Sequence, residues 1–379
     1  MASTRPLPPI WLMGLGFLPL GAFGSIMLIT VPQLLAAKHV AEPQIASITA
    51  IGLSPGFCSF LFAPLLDWRF SRRAYAVGFS VVGALCAAAA LLVTRDLRLL
   101  TGLLFFGDMA ICLNVAAVGG WFGNLVRTED KGALGAWFTV ANIGVGGLVA
   151  SAAIYLLRDL PYVLGAGLLG RLASESFKEF ARDVLVLLRR PTVLWTLPLF
   201  LAPSASFALT NILGGLGRDF DTPEAMVGLI GGAGVSIAGV LGSLVIPGLS
   251  KRIEPRPLYL LVGGVGAAFT LACILLPRSP ATFGLAFLGE NAFQASAFSV
   301  ANLITLRTIG HENPLAATQF GLLTAAYALP LIYMQVIDGH AYGVAGVAGS
   351  YLADAFLSGG ACAVLALVLW LFRRKTPAL

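Results

Sequence analysis

Charge is what this sequence has least of. Asp, Glu, Lys and Arg make up 11% of its 379 residues, against about 25% in a soluble globular chain. With so little charge it cannot cover a water-facing surface, so a soluble enzyme or binding module is excluded. Histidine is also scarce. His39, His311 and His340 fall far apart in predicted loops and make no metal or catalytic cluster. The five cysteines (Cys58, Cys86, Cys112, Cys273 and Cys362) sit inside apolar runs, with no CxxC pair and no zinc spacing. They read as small packing residues. A glycine-rich phosphate loop is missing too, which leaves an ATP-driven pump or a membrane hydrolase without machinery. The pattern calls for neither a metal nor an organic cofactor.

Apolar residues fill the space that charge leaves. They make up 58% of the chain and come in long runs. Residues 99–121 contain one charge and residues 258–277 none. About 20 apolar residues suffice for a helix to cross a bilayer. Windows of that size place twelve spans near 9–34, 44–65, 74–94, 99–122, 132–157, 160–172, 191–214, 224–248, 258–277, 280–305, 315–337 and 347–372. Glycine is abundant, at 44 residues, as expected where small residues let membrane helices approach closely. The first run lacks a small-residue cleavage site and is taken as a retained helix.

Loop charge sets the expected orientation. With the N-terminus in the cytoplasm, 18 of the 24 Lys and Arg residues fall on the cytoplasmic side. The net charge of +6 therefore belongs to short loops between spans, and nucleic acid is excluded as a partner. Span 6 is short. Its roughly 13 residues make about 20 Å of helix, against a hydrocarbon core of about 30 Å. Snorkelling by Arg158 and Arg171 and local bilayer thinning make it a short crossing. Without that crossing the strongly basic second-half loops would lie outside.

Shifted by about 182 residues, the chain overlays on itself. Pro64 to Arg69 meets Pro247 to Arg252, Gly107-Asp108-Met109-Ala110 meets Gly289-Glu290-Asn291-Ala292, and Phe138 meets Phe320. The matches come in order and in corresponding spans. They predict an all-α, polytopic membrane bundle of two pseudo-symmetric six-helix halves, residues 1–170 and 191–379, joined by an interfacial linker, 171–190, on the cytoplasmic surface. This is the plan of the major facilitator fold.

Two acids lie deep in spans, Asp108 in span 4 and Glu290 in span 10, at repeat-related positions. A carboxylate at mid-helix costs roughly 2.5–3.5 kcal/mol on insertion scales. No Lys or Arg lies deep in any span to offset it, so the charged form is disfavoured and such a group is suited to take up a proton. Two roles fit: a proton-coupling or solute-binding pair, or neutral acids that hydrogen-bond between helices and lock the fold. Glu290, Asn291, Gln294 and Asn302 share one helix face. Asn142, Asn211, Gln319 and Tyr327 are further candidates for a solute route, with interhelical bonding the alternative. In the loop from span 2 to span 3, Asp67 beside Arg69, Arg72 and Arg73 suggests an ion-pair latch at a cytoplasmic gate. The positive-inside rule explains the bases equally well.

The stretch Leu288-Gly289-Glu290-Asn291, followed by Ala316-Ala317-Thr318-Gln319-Phe320-Gly321-Leu322-Leu323, resembles spans 10 and 11 of the AmpG-like permeases, a branch of the major facilitator superfamily that includes muropeptide, siderophore and acetyl-CoA permeases. Pro32-Gln33, Ala63-Pro64-Leu65-Leu66-Asp67 and Glu129-Asp130-Lys131-Gly132 agree more loosely. Where the muropeptide permeases carry acids late in span 4, this chain has Val115 and Gly119. The resemblance implies proton-driven uptake of a small-molecule or short-peptide solute across a bacterial inner membrane. A proton-coupled efflux antiporter and a non-transporting receptor or scaffold are the alternatives that the same architecture serves.

Overall fold

Inside a bilayer no water satisfies the backbone, so a segment that crosses must make its hydrogen bonds internally. The structure, a computed structural model, describes residues 8–40, 42–67, 70–144, 190–310 and 313–375. All regular structure among them is helical. Six of the helical stretches are long and apolar enough to cross a membrane. The predicted span 6 and the linker 171–190, apart from its last residue, lie outside the described residues, so the first half is seen as five spans.

Several spans are built from unlike helical pieces. Span 1 begins with Ile10–Gly14 and includes a π turn at Ile26–Thr30 before ending with Val31–Ala37. Span 2 is interrupted before Pro55 and continues through 3-10 turns to Asp67. Spans 3 and 4, Arg72–Leu92 and Leu97–Leu125, are regular and start on side-chain caps. The Ser71 hydroxyl accepts from Ala74 N, and Asp96 accepts from Arg98 N and Leu99 N. Span 5 runs from Lys131–Thr139 into a π turn, Val140–Gly144. Span 9 is Pro255–Ile274. Span 10, Pro280–Ile309, is the most continuous helix, with 30 residues and buried side chains on every side. Spans 11 and 12 are one helical run, Ala316–Lys375, reversed at Ala345 and Gly346, where Gly346 takes φ +61°. Span 11 thus extends beyond its predicted end at residue 337.

Span 7 departs from the continuous helix predicted over 191–214. Pro191–Leu201 is helical, residues 202–209 are not, and helix resumes at Thr210–Leu213 and Gly214–Phe220. Pro198 and Pro203 each remove a backbone donor, and Phe207 adopts φ +49°. A hydropathy window averages across such a break and cannot see it. Span 8 also carries a π turn, Ile230–Gly234.

The buried core is divided in an informative way. One cluster takes residues from both halves: Met13, Phe17, Leu66, Phe122 and Phe138 pack with Leu306, Ile309, Ala317 and Phe320. These lie toward the face that carries Arg72, Arg127, Lys131 and Lys251, called the basic face below. Toward the opposite face each half has a core of its own. Phe23, Met27, Leu35, Leu100 and Leu104 belong to the first. Leu213, Phe220, Phe283, Phe287 and Tyr351 belong to the second. The halves are therefore fused at one end and separately packed at the other.

Phe17 is the hub of the shared core. Its ring stacks on Phe138 at 3.9 Å between centroids and meets Phe320 edge-on at 6.1 Å. The repeat-related pair Phe138 and Phe320 thus converges on one ring. Span 4 approaches span 11 so closely that a Cβ at Gly120 would sit 2.6 Å from Ala317 Cα. Gly120→Leu therefore overpacks this junction at a cost of about 1–3 kcal/mol. Its unfolding midpoint in detergent is expected to fall by about 2–8 °C. Gly78→Leu, with open space around the new side chain, is expected to stay near wild type. Equal midpoints for the two variants would contradict the close contact.

Candidate functional site

A helix ends with backbone groups that have no partner within it. At the basic face, the ends of two second-half helices are satisfied by side chains of the first half. Asp67, at the end of span 2, accepts from Ala317 N at 3.2 Å and Thr318 N at 2.9 Å, and from the Thr318 hydroxyl at 2.9 Å. These are the first free amides of span 11, so Asp67 acts as its N-cap from the other half and meets the positive end of its dipole. Arg72 holds Asp67 through Nε at 2.9 Å and Nη2 at 2.8 Å. The same guanidinium donates to the carbonyls of Asn313 and Pro314.

Lys131 does the converse at the end of span 10. It is 1% exposed, and its ammonium donates to Leu306 O at 2.7 Å and Gly310 O at 3.2 Å. A cation on the last carbonyls of a helix meets the negative end of its dipole. Asn124 and Asn313 add a reciprocal pair, side-chain amide to carbonyl and amide N–H to side-chain oxygen. Gln319 is fully buried in the same region. It accepts from Asn313 at 2.8 Å and donates to Thr308 O. Of the predicted gating group, Asp67 and Arg72 are brought together, Arg73 is exposed, and Arg69 lies outside the described residues.

The deep polar residues have scattered partners. Asp108 is buried on span 4, where it accepts from Cys112 Sγ at 3.7 Å and lies near Cys58 of span 2. Glu290 accepts from the Thr270 hydroxyl of span 9, and its Oε2 has no hydrogen-bond partner. Asn291 donates to Phe287 O of its own helix at 2.8 Å. Gln294 donates to Phe207 O at 3.3 Å and to Thr210 Oγ1 at 2.7 Å, bracing the break in span 7. Asn302 reaches Thr139 of span 5 at 3.5 Å, across the halves. Asn142 lies half-buried in the π turn of span 5. Asn211 is exposed beyond the break and donates to Gln335 Oε1 at 3.3 Å. Tyr327 is half-buried between the rings of Phe200 and Phe298, each 5.7 Å away. The polar stripe of span 10 thus faces several neighbours. Asp108 and Glu290 stay in separate halves with separate surroundings.

Loop-charge counting does not single out Lys131, which it scores as one more basic loop residue. Its place at the start of a span, beside Gly132, is the signal that was available. A groove between spans 2 and 4, near the opposite face, is another feature without a motif. It holds about 660 Å³ and is lined by Gln44, Ser47, Ile48, Ile51, Leu97, Arg98, Thr101, Gly102 and Phe105. Polar groups and one cation line it beside apolar side chains.

No family model matches the chain, and no curated protein matches it. Solved structures do. The crystal structure of FucP, a major facilitator superfamily transporter in the outward conformation, matches with TM-score 0.65 at 14% identity, covering 98% of this chain and 99% of that one. The human organic anion transporter MFSD10 (TETRAN) matches with TM-score 0.63 at 17% identity, over 95% of this chain and 100% of that one. A bacterial homologue of the iron transporter ferroportin, in an outward-facing state, matches with TM-score 0.58 at 14% identity, over 95% and 100%. The chain has the major facilitator fold.

Lys131→Met leaves buried carbonyls of span 10 without a donor, and Asp67→Asn weakens the cap of span 11, each at about 1–3 kcal/mol. A cysteine at the buried position Ala316, in a background without the five native cysteines, reports on the junction. Its rate of reaction with a membrane-impermeant maleimide is expected to rise about fivefold or more in either variant. An unchanged rate would show that the caps do not hold this face shut.

Proposed function

We propose that the chain is a secondary active transporter, a proton-coupled importer of a medium-sized polar solute such as a muropeptide or siderophore. One observation carries this. The halves share a core and helix caps at the basic face, while each has its own core toward the opposite face. Two bodies joined at one end can rock about a central site, as two-half transporters do. By the positive-inside rule the basic face is cytoplasmic, and this arrangement is closed inward. The chain then lies in a bacterial inner membrane with both termini inside, as halves 1–170 and 191–379 around the linker 171–190.

The groove beside Arg98, between spans 2 and 4, would suit a solute with apolar bulk and an anionic group. Asp108 and Glu290 supply carboxyl groups within the bilayer depth, one in each half, and serve as the proton-binding positions. The broken span 7 and the π turns of spans 1, 5 and 8 lend themselves to local rearrangement during the cycle.

The test is uptake into right-side-out vesicles under an imposed pH gradient, outside acid, with muropeptides and ferric siderophores as probes. Wild type is expected to accumulate a probe above equilibrium. Glu290→Gln is expected to lose accumulation, with membrane insertion intact. Accumulation only in inverted vesicles would reverse the direction to efflux. Binding without flux in either vesicle would make the chain a receptor. Wild-type accumulation by Glu290→Gln would remove the coupling role of that residue.

A further inference from the structure

Two more acids lie within the second half, and they share surroundings with Glu290. Asp338 is on span 11 and Asp354 on span 12, and both lie within electrostatic reach of Glu290 on span 10. The reversal at Ala345 and Gly346 makes this possible. It folds span 12 back against span 11, so that the Ser350 hydroxyl donates to Asp338 O at 2.9 Å. Gly349 allows that approach, since a Cβ there would meet the backbone of Ala341. At 1.5 Å per residue, Asp338 and Asp354 lie about 10 Å along their helices from the reversal, and Glu290 about 15 Å from the start of span 10. The three acids descend from the outer rim toward mid-bilayer.

All three are shut away, with exposures of 0% for Asp338, 2% for Asp354 and 1% for Glu290. Their oxygens are largely unpaired. Both carboxyl oxygens of Asp338, Oδ1 of Asp354 and Oε2 of Glu290 have no hydrogen-bond partner. The Tyr351 hydroxyl, on a residue 2% exposed, has none either, and it lies within electrostatic reach of Glu290 and Cys273. Acids that only lock helices together would spend their oxygens on bonds between helices. The Asp338 side chain makes none. Nor do the three carboxyls form a metal-binding group among the described residues.

Other titratable and charged groups nearby do not balance them. Cys273 faces Glu290 from span 9. His340 is exposed, two residues along span 11 from Asp338 and on the other side of that helix. Arg278 stands at the rim near Tyr342, whose hydroxyl donates to Asp219 at 3.0 Å. Several unpaired anions in a low-dielectric setting are prohibitively costly, and neutral carboxyls are the affordable state.

We propose that Asp338, Asp354 and Glu290, with the Tyr351 hydroxyl, form a proton-holding ladder within spans 10 to 12, set off the path between the halves. With one carboxyl of the three ionised at a time, loss of the Glu290 proton is followed by transfer from Asp354 to Glu290 and from Asp338 to Asp354. A proton from the outer rim then binds the ionised Asp338 oxygen, so each transfer breaks one O–H bond and forms another. The charge of the cluster changes only on entry and exit. Tyr351 donates to whichever carboxylate is ionised. The proposal rests on the proton-coupled reading, to which it adds the route into Glu290.

The test needs no transported solute. Infrared difference spectroscopy of the purified full chain in lipid nanodiscs reads the C=O stretch of protonated carboxyls as pH is varied, with the proton as the probe. Wild type is expected to show a protonated-carboxyl band in mildly acidic buffer. Asp338→Asn and Asp354→Asn are each expected to remove part of it and to shift the midpoint of the remainder by about one pH unit, as coupled sites do. A remainder that titrates as in wild type would overturn the ladder. So would the absence of the band from wild type, a result that needs no variant to fold. Loss of the band on replacing choline chloride by sodium chloride at fixed pH would make this a sodium site and end the proton assignment. If transport fails while the coupled band is present, the transport reading falls and the ladder stands.

Discussion

Two buried helix ends at the basic face set the terms for the rest of the molecule. Span 10 ends, and span 11 begins, inside the shared core, where the free carbonyls and amides of a helix terminus need partners. Lys131 and Asp67 supply those partners from the first half. Opening this face removes both caps together and exposes the ends to water, which can replace them. Bonds exchanged with water in this way contribute little net free energy each. The closed face is therefore specific in geometry but not prohibitively stable. The aromatic junction of Phe17, Phe138 and Phe320 gives the same face a rigid packed seam.

Polar chemistry inside the bundle divides into structural and unpaired groups. Gln294 and Ser204 spend their bonds on the interruption of span 7: Gln294 bonds the carbonyl of Phe207, and the Ser204 hydroxyl donates to Leu199 O at 3.1 Å. That bracing lets non-helical backbone persist within a bilayer, where unpaired peptide groups are costly. The oxygens around Asp338, Asp354 and Glu290 are the contrary case, buried and left without donors. A groove carrying Arg98 lies in the other half, between spans 2 and 4. Cation-bearing groove and acid-bearing cluster are thus held on different bodies, which move relative to each other if the halves rock.

Much of the fold is legible in the sequence, because bilayer thickness dictates run length. Residues 99–121 and 258–277 fall in regular helices, within Leu97–Leu125 and largely within Pro255–Ile274. Span 7 is where that reading lapses, since a proline-broken segment has the same mean hydropathy as an intact helix. The site was less legible. Glu290, Gln294 and Asn302 share a face of span 10 by periodicity, but periodicity does not tell that their partners are Thr270, Thr210 and Thr139 on spans 9, 7 and 5. Asp338 lies just past the predicted end of span 11, where an acid reads as a loop residue. Its burial comes from the reversal at Gly346, a tertiary event. Asp354 falls inside the predicted span 12 but nearer its end than Asp108 or Glu290 lie in theirs, so it does not stand out as a deep acid, and its company is set by tertiary packing.

Spin-label distances across both faces test the account most directly. One pair at the exposed positions Arg127 and Lys251 spans the basic face, and another at Arg95 and Arg278 spans the opposite face. In the Asp67→Asn, Lys131→Met double variant, the first distance is expected to lengthen while the second shortens, as two bodies rocking about a common axis require. Distances that stay at their wild-type values, or that lengthen together at both faces, would contradict a clasp of helix caps that governs alternating closure.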